Sequence, residues 1–255
     1  MAIAASPHTE KTDEQKAITE MVRQFADEQI LPNAEHYDHE DSFPEPIVEQ
    51  MKELGLFGVT IPEEYGGMGL DLTTYAMIVE ELSRGWISIS GVVNTHFIGS
   101  YLLMKFGTDE QRHKYLPRMA TGEIRAAFSL SEPELGSDVQ AIKTRGEKTG
   151  DGDYEINGTK MWVTNGLLAG IVFTLVKTDL KADPPYKGMT CFICEKERGW
   201  ARTRAGSRAS TCHPRSRRWA TRASSPRSSC STATTPPPRA SSAARRPGWA
   251  RGSSR

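Results

Sequence analysis

Two stretches of the sequence bring together groups able to hold a ligand. The first runs from Phe128 to Asp138 (FSLSEPELGSD). It reads as a strand ending at Ser131, then a loop with Pro133, Gly136, Ser137 and Asp138. Such a loop can offer several backbone N–H groups and two hydroxyls to an anionic or polar ligand. An acidic loop capped by its own Ser and Asp side chains fits the same spacing equally well. The second runs from Lys160 to Gly166 (KMWVTNG) and ends another predicted strand. There Trp162 and Thr164 lie two apart and so face the same side. An aromatic face beside a hydroxyl suits a flat heterocycle with polar ring atoms. Spacing alone favours the plainer alternative, a core Trp with a surface Thr.

Two further clusters carry less. Gly66-Gly67-Met68-Gly69 fails the dinucleotide pattern, because Leu72 stands at the third glycine position and no strand precedes it. It reads as a turn before a helix capped by Asp71. Glu35, His36, Asp38, His39, Glu40 and Asp41 have metal-ligand chemistry, and the histidines are three apart. The stretch lies between Pro32 and Pro44 without apolar support, so a solvated connection is expected and no metal site.

The elements that position these segments follow from hydrophobic period. Thr12 and Gln15 form a capping-box pair opening a helix over about 13–31, with Ile18, Met21, Val22 and Phe25 inward and Pro32 as its stop. A second helix spans about 44–54, carrying Ile47, Val48, Met51 and Leu54, with Gly55 at its C-terminus. Asp71 caps a third, bearing Leu72, Tyr75, Val79 and Leu82. Residues 90–106 read as a buried helix, and Asp109 opens a fifth that ends near Gly122. The period then changes. Segments 124–131, 153–156, 159–163, 170–177 and 189–195 read as strands, with Asp151-Gly152 and Asn157-Gly158 as hairpin turns. The longest apolar run, Leu167 to Val176, is too short to span a bilayer.

Composition divides the chain of 255 residues near Glu197. Residues 1–197 hold 18 Lys and Arg with all 32 Asp and Glu, a net −14, whereas 198–255 hold 14 Arg and no acid. The tail contains no Leu, Ile, Val, Met, Phe or Tyr, so it cannot build a core and is expected to be disordered. Every tail residue except His213 is of a type encoded with G or C at the second codon position, as expected of a GC-rich gene read out of frame. A basic nucleic-acid-binding arm is the alternative, with charge alone behind it. Four cysteines lack metal spacing, and the N-terminus lacks a basic start and an apolar core. A cytoplasmic setting is expected.

Pro62 to Gly69 (PEEYGGMG), Ser131 to Asp138 (SEPELGSD) and Asn157 to Gly166 (NGTKMWVTNG) together resemble the acyl-CoA dehydrogenase family, FAD enzymes that oxidise acyl-CoA thioesters. The resemblance covers residues 10–197. It implies an α+β chain: an all-α N-terminal helical domain at 10–122, then an incomplete, barrel-like middle β-domain at 123–197, with 198–255 as the disordered tail. It also implies that Phe128, Leu130, Ser131, Gly136, Ser137, Trp162, Val163 and Thr164 line FAD. Ser131 and Thr164 would bond the isoalloxazine edge, Trp162 would cover the ring face away from substrate, and Ser137 would also lie near acyl-CoA. Glu134-Leu135 stand in place of a usual small pair and Ser131 in place of a frequent threonine; neither change removes a hydrogen-bonding group.

The implied chemistry is α,β-dehydrogenation. A carboxylate takes the Cα proton while hydride passes from Cβ to flavin, and an electron-transfer flavoprotein reoxidises the cofactor. Intact family members are expected to be homotetramers, with neither nucleic acid nor membrane as partner. The family base lies in a C-terminal domain that this sequence does not reach, so the expectation is a truncated, inactive form with no catalytic residue of its own. The alternatives are a related flavin-dependent monooxygenase, a non-catalytic helical interaction protein, and a basic-tailed nucleic-acid binder.

Overall fold

Thr12 starts the first helix as its spacing predicts. Its hydroxyl accepts from Gln15 N at 3.1 Å, and the Gln15 side chain accepts from Thr12 N at the same distance. The computed structural model describes residues 11–149 and 153–196, together with the backbone of three short strands farther along. Helix α1 is Asp13–Phe25. The chain does not stop at Pro32. A π-helical turn over Ala26–Ile30 shifts the register, and α2, Leu31–His39, begins with Pro32 in its first turn, where a missing N–H costs nothing. Of the expected stripe, Val22 and Phe25 are buried and Met21 faces solvent.

Helix α3 is Glu45–Glu53, followed by Gly55 in the left-handed region (φ 72°). Asp71 caps α4, Leu72–Gly85, accepting from Thr74 N at 2.7 Å. Leu72 was expected inward but is 59% exposed, whereas Thr74 of the same turn is buried and accepts from Gln15 Nε2 of α1. Helix α5 is Ile87–Phe106 and α6 is Asp109–Ala120, opened by a second capping box between Thr108 and Gln111. By length and composition α5 could cross a membrane, which the expectation from Leu167–Val176 did not foresee. Half of its most apolar window is buried against the rest of the fold.

The β part is a mixed sheet that does not close. Its strands are β1 Ala126–Ser129, β2 Arg145–Lys148, β3 Tyr154–Met161, β4 Ile171–Lys177 and β5 Met189–Glu195. Strand β1 runs parallel to β4, from Ala126 opposite Ile171 to Ser129 opposite Thr174. β4 pairs antiparallel with β5, and β2 with β3. The 151–152 turn lies outside the described residues, but the pairing of Lys148 with Tyr154 across it makes a hairpin. Asn157-Gly158 is not a turn. β3 runs straight through it, and Gly158 serves close packing, since a Cβ there would lie 2.4 Å from Thr144 Oγ1.

Beyond Glu197 three short backbone strands are described. β6 (Thr211–Cys212), β7 (Arg218–Arg222) and β8 (Cys230–Thr232) extend the sheet, with β7 on β3 and β8 on β5. Main-chain pairing on an open edge needs no aliphatic side chains, so composition alone does not forbid it. The remainder of 198–255 lies outside the described residues.

Helix α5 joins the two parts. Gly99 lets it approach the sheet, where an added Cβ would lie 2.5 Å from Ala126 Cβ and 2.8 Å from the Phe173 ring. Leu103, Leu116 and Met119 from the helices share one buried cluster with Ala126, Ile171 and Phe173 from the sheet.

Candidate functional site

The strand carrying Trp162 ends one residue before it. Met161 is the last residue of β3, and Trp162 takes a left-handed backbone (φ 60°) that non-glycine residues adopt only at a cost. The two-apart alternation therefore does not apply. Even so, Trp162 is 66% exposed and Thr164 is exposed with it. An aromatic side chain on a strained backbone, facing outward, buries little within this chain. Asn165, also left-handed at φ 62°, fixes the turn. Its amide donates to Val92 O on α5 at 2.9 Å and to Ala126 O on β1 at 3.2 Å. Thr164 consequently sits against Gly91 of α5, its methyl 3.9 Å from where a Cβ would stand.

The loop after β1 is fastened to the same strand end. Met161 N donates to Ser131 O at 2.9 Å, and Lys160 Nζ donates to Leu130 O at 2.9 Å. Glu132 and Leu135 exchange both backbone bonds, at 2.7 and 3.2 Å, closing a tight turn. Gly136 and Ser137 follow it, exposed, with open space around Gly136. The hydroxyls of Ser131, Ser137 and Thr164 have no hydrogen-bond partner among the described residues.

The structure thus brings Ser131 beside the start of the Trp162 turn, with Ser137 on the same loop. Phe128 points into the cluster between helices and sheet, and Val163 packs on Ala127, Ala169 and Val172. Glu35, His36, Asp38 and His39 ride on α2, with Glu40 and Asp41 after it, and no group of three potential metal ligands occurs among the described residues. The Gly66–Gly69 segment is a turn, with Gly66 and Gly69 left-handed and Gly67 pressed on Ile61 O.

Sequence reasoning missed the groups that hold these segments. Glu132 is buried, and its carboxylate faces only donors: Lys143 N (2.7 Å), Thr144 N (2.9 Å), Thr144 Oγ1 (2.5 Å) and Lys160 Nζ (3.1 Å). Burial opposes its charge, but the bonds from Thr144, Lys143 and Lys160 outweigh that and hold its carboxyl below the usual range. Burial pulls the Lys160 ammonium downward, against the attraction of Glu132. His96 on α5, fully buried, spans the junction. Its Nδ1 accepts from Ala126 N at 3.2 Å, so Nε2 carries the proton and donates to Met119 O at 3.1 Å. Burial pushes its pKa down to about 4. Only Asn165 gave a hint in sequence, as a residue type suited to left-handed turns.

Chemically, the arrangement offers a solvent-facing indole, three hydroxyls free to bond and a loop rich in backbone amides. A planar ligand with an apolar face and a polar edge fits that set.

Comparison with known proteins agrees with this geometry. Family models described as "Acyl-CoA dehydrogenase, N-terminal domain" and "Acyl-CoA dehydrogenase, middle domain" match residues 12–123 and 127–215. The second extends past the boundary expected at 197. A mitochondrial isovaleryl-CoA dehydrogenase of Solanum tuberosum is 41% identical over 188 residues, covering 72% of this chain and 45% of that protein. The solved glutaryl-coenzyme A dehydrogenase glutaryl-CoA complex superposes with a TM-score of 0.68 at 32% identity, over 73% of this chain and 47% of that one. An acyl-CoA dehydrogenase complexed with FAD from Bacillus anthracis gives 0.68 at 30% identity, over 85% and 37%. The chain spans a third to a half of the length of the curated relatives it matches.

Proposed function

The chain belongs to the acyl-CoA dehydrogenase family, whose N-terminal and middle domains it carries, and on that premise we propose that residues 128–137 and 162–164 form one wall of an FAD site. The observation that carries this reading is the outward-facing indole of Trp162, held on a left-handed backbone beside unpartnered hydroxyls. These residues fit the cofactor: the indole offers an apolar face to a flat ring system, and Ser131 and Thr164 offer donors to its polar edge. When bound, FAD supplies the two-electron acceptor for oxidation of a saturated acyl thioester.

The chain's own residues bind and orient. Trp162 shields one ring face from water. Asn165 keeps Thr164 against α5, so the hydroxyl stands at a fixed distance from the Ser131 loop. Ser137, on the exposed part of that loop, is placed to reach the acyl-CoA as well. Acyl-CoA thioesters are the substrate class, which the relatives' names support; an electron-transfer flavoprotein as electron acceptor and a homotetramer as assembly rest on the family resemblance.

Proton abstraction from Cα needs a free carboxylate, and Glu132 is not one, since donors occupy both of its oxygens. We extend the proposal accordingly: residues 11–196 bind the cofactor without supplying the base. Visible spectroscopy on the purified 255-residue chain tests both parts. Added FAD should show the resolved band of a sequestered flavin, and acyl-CoA should leave that band unbleached. A spectrum identical to free FAD would refute the cofactor reading, and bleaching by acyl-CoA would refute the missing base.

A further inference from the structure

We propose that Glu132 is the positioning residue of the loop that presents Ser131 and Ser137, its buried carboxylate fixing that loop to β3 and to the chain before β2. The role assigned to the loop rests on the flavin reading above. Ser131 is bracketed on three sides. Its own carbonyl accepts from Met161 N, the preceding carbonyl of Leu130 accepts from Lys160 Nζ, and the following side chain is held by Lys143 N, Thr144 N, Thr144 Oγ1 and Lys160 Nζ. One carboxylate therefore ties together segments 12 and 28 residues away in sequence.

Stability alone does not explain this cluster. Lys160 is completely buried, and desolvating an ammonium and a carboxylate together cancels most of their attraction. An apolar pair of similar volume would pack as well. What the apolar pair lacks is direction: it has no means of fixing the Leu130 carbonyl and the 143–144 amides at once. The charged cluster specifies the position of a loop whose next residues, Gly136 to Asp138, are exposed and carry no such fastening. Without it, the Glu132–Leu135 turn would still close on itself, but its place relative to Trp162 would be free to vary.

The test uses the full chain and three variants: Glu132→Gln, Glu132→Gln with Lys160→Met, and Ile156→Ala as a control that weakens the β3 core without touching the loop. Three quantities are read: the thermal midpoint, amide hydrogen exchange at Lys143, Thr144 and Met161 without cofactor, and FAD affinity by flavin fluorescence. Glu132→Gln should speed exchange at these amides at least tenfold and weaken FAD at least tenfold. Ile156→Ala, at an equal or larger loss of midpoint, should leave both within about threefold. The double variant should recover the midpoint while exchange and affinity stay impaired. Exchange and affinity that follow the midpoint alike in all variants would overturn the proposal, as would an unaffected Glu132→Gln. Failure of both Glu132 variants to fold would also overturn it, by making the cluster a plain requirement for stability. If the unaltered chain takes up no FAD, the flavin reading falls, and the exchange data still decide whether Glu132 holds the loop.

Discussion

Acidification should loosen this protein through His96 before its carboxylates are affected. In the folded chain the imidazole is buried, neutral and bonded on both nitrogens, with a pKa of about 4, against an ordinary value of 6.5. A folded pKa below the unfolded one means that the unfolded chain binds the proton first. Stability is therefore complete above 6.5 and falls as pH drops toward 4. The gap of about 2.5 pKa units at about 1.4 kcal/mol each gives roughly 3 kcal/mol lost by pH 4, most of it already by pH 4.5. Glu81, Glu132 and Glu195, all held below the ordinary 4.5, begin to contribute their own losses only from about one unit above that value downward, so the fall from pH 6.5 to about 5.5 belongs to His96. Urea unfolding measured at half-unit steps from pH 7.5 to 4.5 reads the slope. His96→Gln, whose amide can accept from Ala126 N and donate to Met119 O, should be flat from pH 7.5 to about 5.5 even if less stable at pH 7.5. A wild-type profile that is flat from 6.5 to about 5.5, or a variant that keeps the wild-type slope there, would refute the reasoning.

Other perturbations test the framework around the site. Gly99→Ala should cost about 1–3 kcal/mol in chemical unfolding, because its methyl meets Ala126 and Phe173 well inside contact distance. Asn165→Gly keeps a residue tolerant of φ 62° and removes two donated bonds, so a loss of about 1–2 kcal/mol is expected. Both changes should also make the Trp162 turn more accessible to limited proteolysis, and a variant with unchanged stability would contradict its assigned contact. Reading the gene across Glu197–Ala201 should reveal a missing base, or two gained; an intact frame there would restore the basic-arm interpretation of the arginine-rich tail.

The parts of the fold governed by local rules were legible in sequence. Thr12 with Gln15, and Asp71, capped helices as their residue types require, and β5 occupies 189–195, the segment read as a strand. Asn157-Gly158 misled, because the same dipeptide that suits a tight turn also suits a strand needing close approach to Thr144. Pro32 misled because a preceding π turn put it where its missing N–H is harmless. The residues singled out for the site, from Ser131 to Thr164, come from two loops that the structure does set side by side. What holds them was invisible: Glu132 finds Thr144 and Lys160, and Asn165 finds Val92, across separations of 12 to 73 residues that no local pattern encodes. The left-handed turn at Trp162 belongs to the same class, since Asn165, three residues on, is held by long-range bonds to Val92 and Ala126.

The most direct test of the flavin wall is the FAD affinity of the full chain against that of Trp162→Gly, each read beside its unfolding midpoint. Glycine relieves the left-handed strain, by about 1 kcal/mol, and raises unfolded-chain entropy by a similar amount, so the midpoint should barely move. Loss of the indole should still weaken FAD roughly tenfold, about 1.4 kcal/mol, by removing the apolar face from the ring. Equal affinity in the two proteins, or no binding in either, would contradict the account.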